Sequence, residues 1–195
     1  METFGMLGLL GIVFVESGLL VGFFLPGDSL LFTAGLLSST GVLPPLWVLL
    51  VTVPLAAIAG DQVGYLIGRR AGPAIFSRPE SRLFHHEHVE RANAFFERYG
   101  GRTIVLARFV PIVRTFAPVC AGVARMRYRT FVAYNVVGGI LWGAGVTALG
   151  YFLGQVELIA ANIEVALVAI VGVSLIPVLV ELYRGDRRRR RAASR

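Results

Sequence analysis

The sequence predicts an all-α integral membrane protein built from two inverted repeats, with two opposed re-entrant hairpins and about four transmembrane helices. Three observations lead to this class: a high apolar content, apolar runs broken by proline and glycine, and motifs that recur along the chain. Hydrophobic residues make up 55% of the 195 residues, charged residues only 16%, and the mean hydropathy is +0.70. These values exceed what a soluble domain of this length needs. At about 20 residues per helical span, the chain has room for four or five passes and for no separate soluble catalytic domain.

The first part of the chain is predicted to form an interrupted helix. Residues 4 to 25 form an apolar run that Glu16 interrupts and that Pro26-Gly27-Asp28 stops. The next apolar piece, residues 29 to 37, is too short to cross a bilayer. We therefore expect a first re-entrant hairpin here, with its backbone covered by protein or by a polar cavity.

The middle of the chain combines one full span with the longest polar segment. Residues 46 to 68 form an apolar run, and Arg69-Arg70 should end it. In residues 71 to 102, apolar side chains recur at near-helical spacing, which favours an interfacial helix over about 80 to 99.

The second half repeats the pattern of the first. Residues 103 to 124 are apolar but contain Pro111 and Pro118, which is typical of a second hairpin rather than of a simple span. Two ordinary spans should follow at residues 131 to 154 and 163 to 183, before an arginine-rich tail.

Three motifs recur in order at nearly one spacing, which predicts a duplication. Phe24-Leu25-Pro26 recurs as Phe109-Val110-Pro111 after 85 positions, Ala34-Gly35 as Ala121-Gly122 after 87, and Gly64-Tyr65 as Gly150-Tyr151 after 86. Repeat one then covers about residues 16–70 and repeat two about 103–155. Both belong to a single membrane domain, residues 1–183, followed by a basic cytoplasmic tail, residues 184–195.

The arginines predict the orientation of the chain. All 19 basic residues are arginine; seven lie in residues 69–102, three in 125–129 and seven in the tail, whereas the segments 41–45 and 155–161 have none. The positive-inside rule places the three arginine groups and both termini in the cytoplasm. The repeats then run in opposite directions, the architecture of many secondary transporters, whose substrates bind between the repeats. We therefore assign the net charge of +7 to orientation and to binding of anionic lipid by the tail, not to nucleic acid.

Four ionisable residues lie in or beside the hairpins: Glu16, Asp28, Arg108 and Arg114. Each needs a partner or water, because a charge at the bilayer centre costs on the order of 3 kcal/mol. A break at Pro111 would let Arg108 and Arg114 converge into a bidentate clamp for phosphate or carboxylate, so we predict that they bind substrate. The alternative is that the arginines only pair with the two acids to hold the hairpins together.

Glu16 and Asp28 are candidate proton-coupling residues. Protonation of a carboxylate that faces an arginine depends on whether a substrate occupies that arginine. Asp28 could instead be a turn or N-cap residue after Pro-Gly, and Asp61 is a candidate additional buried acid.

We expect no metal and no cofactor. Cys120 is the single cysteine, which excludes an internal disulfide and a cysteine-based zinc site. The cluster His85-His86-Glu87-His88 has metal-ligand types but lies on the polar interfacial segment, where a solvated helix face is the better interpretation.

Together these motifs resemble the bacterial DedA family, relatives of the VTT-domain lipid scramblases. The resemblance covers roughly residues 5 to 180, and its most specific parts are Phe24-Leu-Pro-Gly-Asp-Ser-Leu-Leu-Phe32 and Arg108-Phe-Val-Pro-Ile-Val-Arg-Thr-Phe-Ala-Pro118. It implies a multi-pass protein of the bacterial inner membrane. Several members are implicated in returning undecaprenyl phosphate to the cytoplasmic leaflet and in using the proton-motive force. The family's essential acids and arginines correspond to Glu16, Asp28, Arg108 and Arg114.

The predicted function is therefore a proton-coupled flippase for undecaprenyl or another polyprenyl phosphate, with no enzymatic activity. The alternatives are a phospholipid scramblase or proton-coupled ion antiporter, a membrane-embedded phosphatase, and a structural or assembly factor. Against the phosphatase, no Ser, Cys or His is convincingly placed beside the arginines. The partners expected are a membrane lipid phosphate and protons, and a homo-oligomer is compatible with the sequence.

Overall fold

The computed structural model describes residues 2–18, 27–76 and 99–156. Over these ranges the chain is helical and contains no strand, as the sequence predicts. The helices are α1 (Glu2–Gly18), α2 (Gly27–Ser39), α3 (Leu46–Phe76), α4 (Arg102–Ala107), α5 (Pro111–Val123) and α6 (Tyr128–Gly154). Within the described ranges, two stretches are long and apolar enough to span a membrane: Leu46–Ala71 in α3 and the whole of α6.

Several predictions concern residues outside the described ranges. They are the tip of the first hairpin at Phe24-Leu25-Pro26, the interfacial segment with its histidines, the span at residues 163 to 183, and the basic tail. The two re-entrant hairpins and the count of about four transmembrane helices therefore stay predictions.

Helix α3 is longer than the sequence predicts. It does not end at Arg69-Arg70 but continues to Phe76. Arginine has a high helix propensity, so a pair of arginines marks the edge of the apolar stretch without ending the helix. The apolar stretch itself ends at Ala71, close to the predicted position.

A break before Pro111 separates α4 from α5, at the proline that the sequence singles out. Val110 has extended backbone angles (φ −113°, ψ 107°), and Pro111 is the first residue of α5. The missing N–H of proline is tolerated there because a first-turn N–H has no acceptor within its own helix. With 6 and 13 residues, α4 and α5 are each too short to cross a bilayer.

The helices of the two predicted repeats exchange partners. The most extensive packing joins α2 to α6 and α3 to α5. Gly35 of α2 lies against the backbone carbonyl of Thr147 in α6, and Gly122 of α5 lies against the carbonyl of Tyr65 in α3; a Cβ on either glycine would overlap the facing backbone. Small residues permit this close approach of helices. Helices α2 and α5 thus each pack on the long helix of the other repeat, the pattern expected of two related units around a pseudo-twofold axis.

The predicted orientation can be tested at two exposed positions, Thr40 after α2 and Arg127 before α6. In a Cys120→Ala background, we expect Thr40→Cys to react with a membrane-impermeant maleimide in intact cells. Arg127→Cys should react only in inside-out vesicles, because the positive-inside rule places it in the cytoplasm. Labelling of both positions from the same side would contradict the predicted topology.

Candidate functional site

Arg114 lies at the centre of a charged cluster to which four helices contribute: α1 (Glu16), α2 (Asp28), α5 (Arg114) and α6 (Trp142). We call these four residues the Arg114 cluster. Arg114 donates a hydrogen bond to Glu16 Oε1, and its Nη1 donates to Asp28 Oδ1 at 2.6 Å. Its guanidinium carbon lies 4.6 Å from the ring centroid of Trp142, a cation–π distance, and Trp142 Nε1 donates to the same Asp28 oxygen at 2.7 Å. One guanidinium thus joins two carboxylates from different helices.

Glu16 is also tied to the start of α2. Its Oε1 accepts the backbone N–H of Gly27 at 3.2 Å, and such N–H groups have no acceptor within the helix. Gly27 has no room for a side chain, since a Cβ there would overlap the Glu16 carboxylate. The second oxygen, Oε2, is buried and has no hydrogen-bond partner among the described residues. A proton added to Oε2 would therefore displace no hydrogen bond.

A second set of residues surrounds Arg108, the C-cap residue of α4. We call Asp61, Arg108 and Asn135 the Arg108 cluster. Arg108 Nη2 donates both to the Asp61 carboxylate of α3 and to Asn135 Oδ1 of α6, the latter at 2.6 Å. Asn135 Nδ2 donates to the carbonyl of Ile58 at 3.3 Å, which fixes the orientation of the amide. The Arg108 side chain is thereby held between the two long helices.

A glycine of α6 makes room for Arg108. A Cβ at Gly138 would lie 2.9 Å from Arg108 Cδ, whereas a Cβ at the adjacent Gly139 would be closest to Ile58 Cγ1, at 2.6 Å. The side chain of Arg108 therefore packs closely against α6 at Gly138, where no side chain stands in its way. Its Nε is buried and unpartnered within the described part of the chain, so it retains one free donor.

The two clusters differ in exposure. The side chains of Arg108 and Asp61 are 6% and 5% exposed, whereas that of Asp28 is 42% exposed. The Arg114 cluster is thus accessible on its Asp28 side, and the Arg108 cluster is enclosed. Arg114 also interacts electrostatically with both Asp61 and Arg108, so the charges of the two clusters influence each other.

The structure brings together three of the four residues that the sequence predicts for the site: Glu16, Asp28 and Arg114. Arg108 and Arg114 pair with different acids in the structure, and their convergence on one substrate phosphate stays a prediction. Arg108, at the C-cap of α4, contacts α3 and α6, whereas Arg114 contacts α1, α2 and the Trp142 ring of α6. Asp61 is the acid that pairs with Arg108.

Sequence reasoning missed Asn135 and Trp142. Both lie on one face of α6, because Asn135, Gly138, Gly139 and Trp142 follow the spacing i, i+3, i+4 and i+7. A lone amide in the apolar run of residues 131 to 154, with two glycines and a tryptophan on its face, is the signal that could have identified them. Within the described ranges, no group of three His, Cys, Asp or Glu side chains is placed to hold a metal ion.

The apolar helices and the charged clusters between them define a helical membrane protein with a polar interior site. The VTT domain model matches residues 25–152, and the chain belongs to the VTT-domain (DedA) family. It is 54% identical over 186 residues to an uncharacterized membrane protein of Mycobacterium tuberculosis, a match that covers 95% of this chain and 82% of the relative. It is 47% identical over 184 residues to Protein DedA of Escherichia coli, covering 93% of this chain and 84% of the relative. No solved structure gives a significant match.

Proposed function

We propose that the protein is a proton-coupled transporter that moves undecaprenyl phosphate or another polyprenyl phosphate across the bacterial inner membrane, without covalent chemistry. The observation that carries this proposal is the position of Arg114, held by two carboxylates in a cluster that opens beside the half-exposed Asp28. A guanidinium in such a position can exchange a carboxylate ligand for a phosphate oxygen, since both anions match its planar fork.

The charges of the Arg114 cluster link this exchange to protons. With all groups ionised, the cluster carries one excess negative charge, because Glu16 and Asp28 face a single arginine. A phosphate that binds Arg114 must therefore displace at least one carboxylate. A carboxylate that loses its cation in a site poor in water is stabilised by protonation, so anion binding and proton uptake would occur together.

Arg108 is the proposed second phosphate ligand. It lies deeper than Arg114 and would have to release Asp61 before its guanidinium could turn towards a phosphate. Its buried Nε–H, which has no partner among the described residues, would then add a donor for a phosphate oxygen. We infer an order in which Arg114 binds first and Arg108 second.

The predicted topology supports transport between the two leaflets. Inverted repeats place one site between two units of opposite orientation, which alternating access requires. The proposal includes cytoplasmic termini, and a basic tail that holds anionic lipid.

Substitution of Arg114 tests its role as a phosphate ligand. We expect Arg114→Lys to fail almost as badly as Arg114→Ala, with a loss of about tenfold or more in transport rate, because lysine keeps the charge but loses the bidentate fork. The measurement is leaflet-resolved movement of a labelled polyprenyl phosphate in liposomes. Arg102→Lys, at an exposed arginine of α4, is the matched control and should stay near wild type. Full activity of Arg114→Lys would rule out the clamp.

Amide substitutions test proton coupling in the same liposomes. Glu16→Gln and Asp28→Asn keep the side-chain shape but remove titration. We expect both variants to bind the phosphate headgroup and to lose the acceleration by a pH gradient that wild type shows. Unchanged dependence on the gradient in both variants would exclude proton coupling through these acids.

A further inference from the structure

We propose that an open pocket between Arg69 of α3 and the start of α6 binds the phosphate of an anionic lipid headgroup. The pocket has a volume of about 670 Å³, and four arginines line it: Arg69, Arg125, Arg127 and Arg129. It shares no residue with the Arg114 or Arg108 cluster. The proposal is therefore independent of the transport function.

The pocket lies at the level where the apolar stretches of the helices begin and end. Arg69 is two residues from Ala71, the end of the apolar stretch in α3, and Tyr128 is the first residue of α6. Both elements therefore meet the pocket at the boundary between the apolar layer and water. Lipid phosphates lie at this boundary.

The four arginines have no carboxylate partners in the described part of the chain. All four are exposed, and the described ranges 62–76 and 99–156 contain no Asp or Glu. Four like charges around one pocket repel one another, and a bound anion would relieve this repulsion. A set of arginines that served only to orient the chain would not need to surround a pocket.

Tyr65 of α3, which does not itself line the pocket, connects the segments that do. The fully buried Tyr65 donates its hydroxyl to the carbonyl of Met126 at 2.6 Å and accepts a hydrogen bond from Arg69 Nη1 at 3.3 Å. Its ring stacks on Phe131 with centroids 4.5 Å apart and lies 5.7 Å from the ring of Tyr128. These contacts hold α3, at Tyr65 and Arg69, against the turn between α5 and α6, so the site is formed before a ligand arrives.

Arg125 has a backbone conformation that usually belongs to glycine. Its φ is +51°, and it occupies the position after the C-cap of α5, where its N–H bonds the carbonyl of Gly122 and the next N–H bonds that of Ala121. An arginine at this position is less favourable than glycine. Arg125 therefore adds a guanidinium to the pocket, and the cost is a strained backbone conformation.

The start of α6 adds backbone donors to the same pocket. The side chain of Arg127, the N-cap residue, accepts no hydrogen bond from the helix backbone. The first backbone hydrogen bond of α6 runs from the N–H of Phe131 to the carbonyl of Arg127. The N–H groups of residues 128 to 130 therefore have no acceptor in the helix. They supplement the arginines as ligands for a phosphate.

The surface beside the pocket favours a lipid over free phosphate. Leu66, one helical turn before Arg69, is 46% exposed, and Tyr128 is 49% exposed. A lipid with its phosphate among the arginines can place its acyl chains along this apolar surface, whereas inorganic phosphate gains nothing from it.

Titration calorimetry of the full chain in detergent tests the proposal with two probes, a short-chain phosphatidic acid and inorganic phosphate. We expect Arg69→Gln/Arg129→Gln to weaken phosphatidic acid binding about tenfold or more, since each charge-assisted bond contributes substantially. The control is Arg70→Gln, because Arg70 is exposed beside Arg69 but does not line the pocket. This variant should bind phosphatidic acid like wild type. Arg125→Gly separates binding from folding, because it should bind more weakly while its melting temperature stays equal or rises.

Three results would contradict the proposed lipid site. Equal losses in Arg70→Gln and in the double variant would mean diffuse attraction by surface charge, and the pocket would be refuted. Loss of binding in Arg114→Ala but not in the double variant would place the lipid at the Arg114 cluster. If inorganic phosphate binds as tightly as phosphatidic acid, the assignment to a lipid headgroup is wrong.

Discussion

Asp61→Ala should destabilise the protein by about 3–5 kcal/mol, because it leaves Arg108 buried without its counter-charge. Arg108 is 6% exposed, and among the described residues its remaining polar partner is the amide of Asn135. Removal of both charges should restore most of the loss, so we expect Asp61→Ala/Arg108→Met to be close to wild type in stability. The measurement is chemical unfolding in detergent, followed by tryptophan fluorescence.

Gln62→Ala is the matched control for this experiment. Gln62 is the next residue of α3, and its buried Oε1 accepts no hydrogen bond from the described residues. Its removal should therefore cost little. A stability of Asp61→Ala equal to that of Gln62→Ala would show that the Arg108–Asp61 pair is not needed for folding. The double variant also bears on function: if Arg108 binds phosphate, the double variant should fold and fail to transport.

Gly122→Ala and Gly150→Ala should each destabilise the protein by about 1–3 kcal/mol through overpacking. A Cβ at Gly122 would overlap the backbone carbonyl of Tyr65, and one at Gly150 would overlap that of Phe32. A backbone carbonyl cannot rotate away as a side chain can, so the helices α3 and α5, or α2 and α6, must separate. The same unfolding experiment measures the effect.

Gly145→Ala, on the same helix as Gly150, should not destabilise the protein. No atom lies within 4 Å of a Cβ at Gly145. Alanine should therefore leave stability unchanged or raise it by about 0.5–1 kcal/mol, the ordinary advantage of alanine over glycine in a helix. Equal destabilisation by Gly145→Ala and Gly150→Ala would contradict the close packing of α2 against α6.

Local features of the fold were predictable from the sequence. The apolar run at residues 131 to 154 corresponds to α6, and Pro111 marks the start of α5, because hydrophobic length and proline act on the chain locally. The end of α3 was not predictable from Arg69-Arg70, since charge defines the edge of the apolar layer and not the end of hydrogen bonding.

Which acid pairs with which arginine was harder to predict from the sequence. Arg114 and Asp28 are 86 positions apart, and Arg108 and Asp61 are 47 apart. A single sequence shows that buried charges need partners, but it does not show which acid faces which arginine. That choice depends on how α3, α5 and α6 pack. The presence of Asp61 near the site was predicted only as an additional acid, and its pairing required the fold.

The two ion pairs also connect the predicted repeats to each other. Helix α3 packs extensively on α1, α5 and α6, so packing alone does not separate the helices into two bodies. The ion pair of Arg114 with Asp28 joins α5 to α2, and that of Arg108 with Asp61 joins α4 to α3, so each links a helix of repeat two to a helix of repeat one. In the transport cycle that we propose, a movement of one predicted repeat against the other would have to break both ion pairs. A phosphate that displaces the acid from either arginine would remove one of these connections.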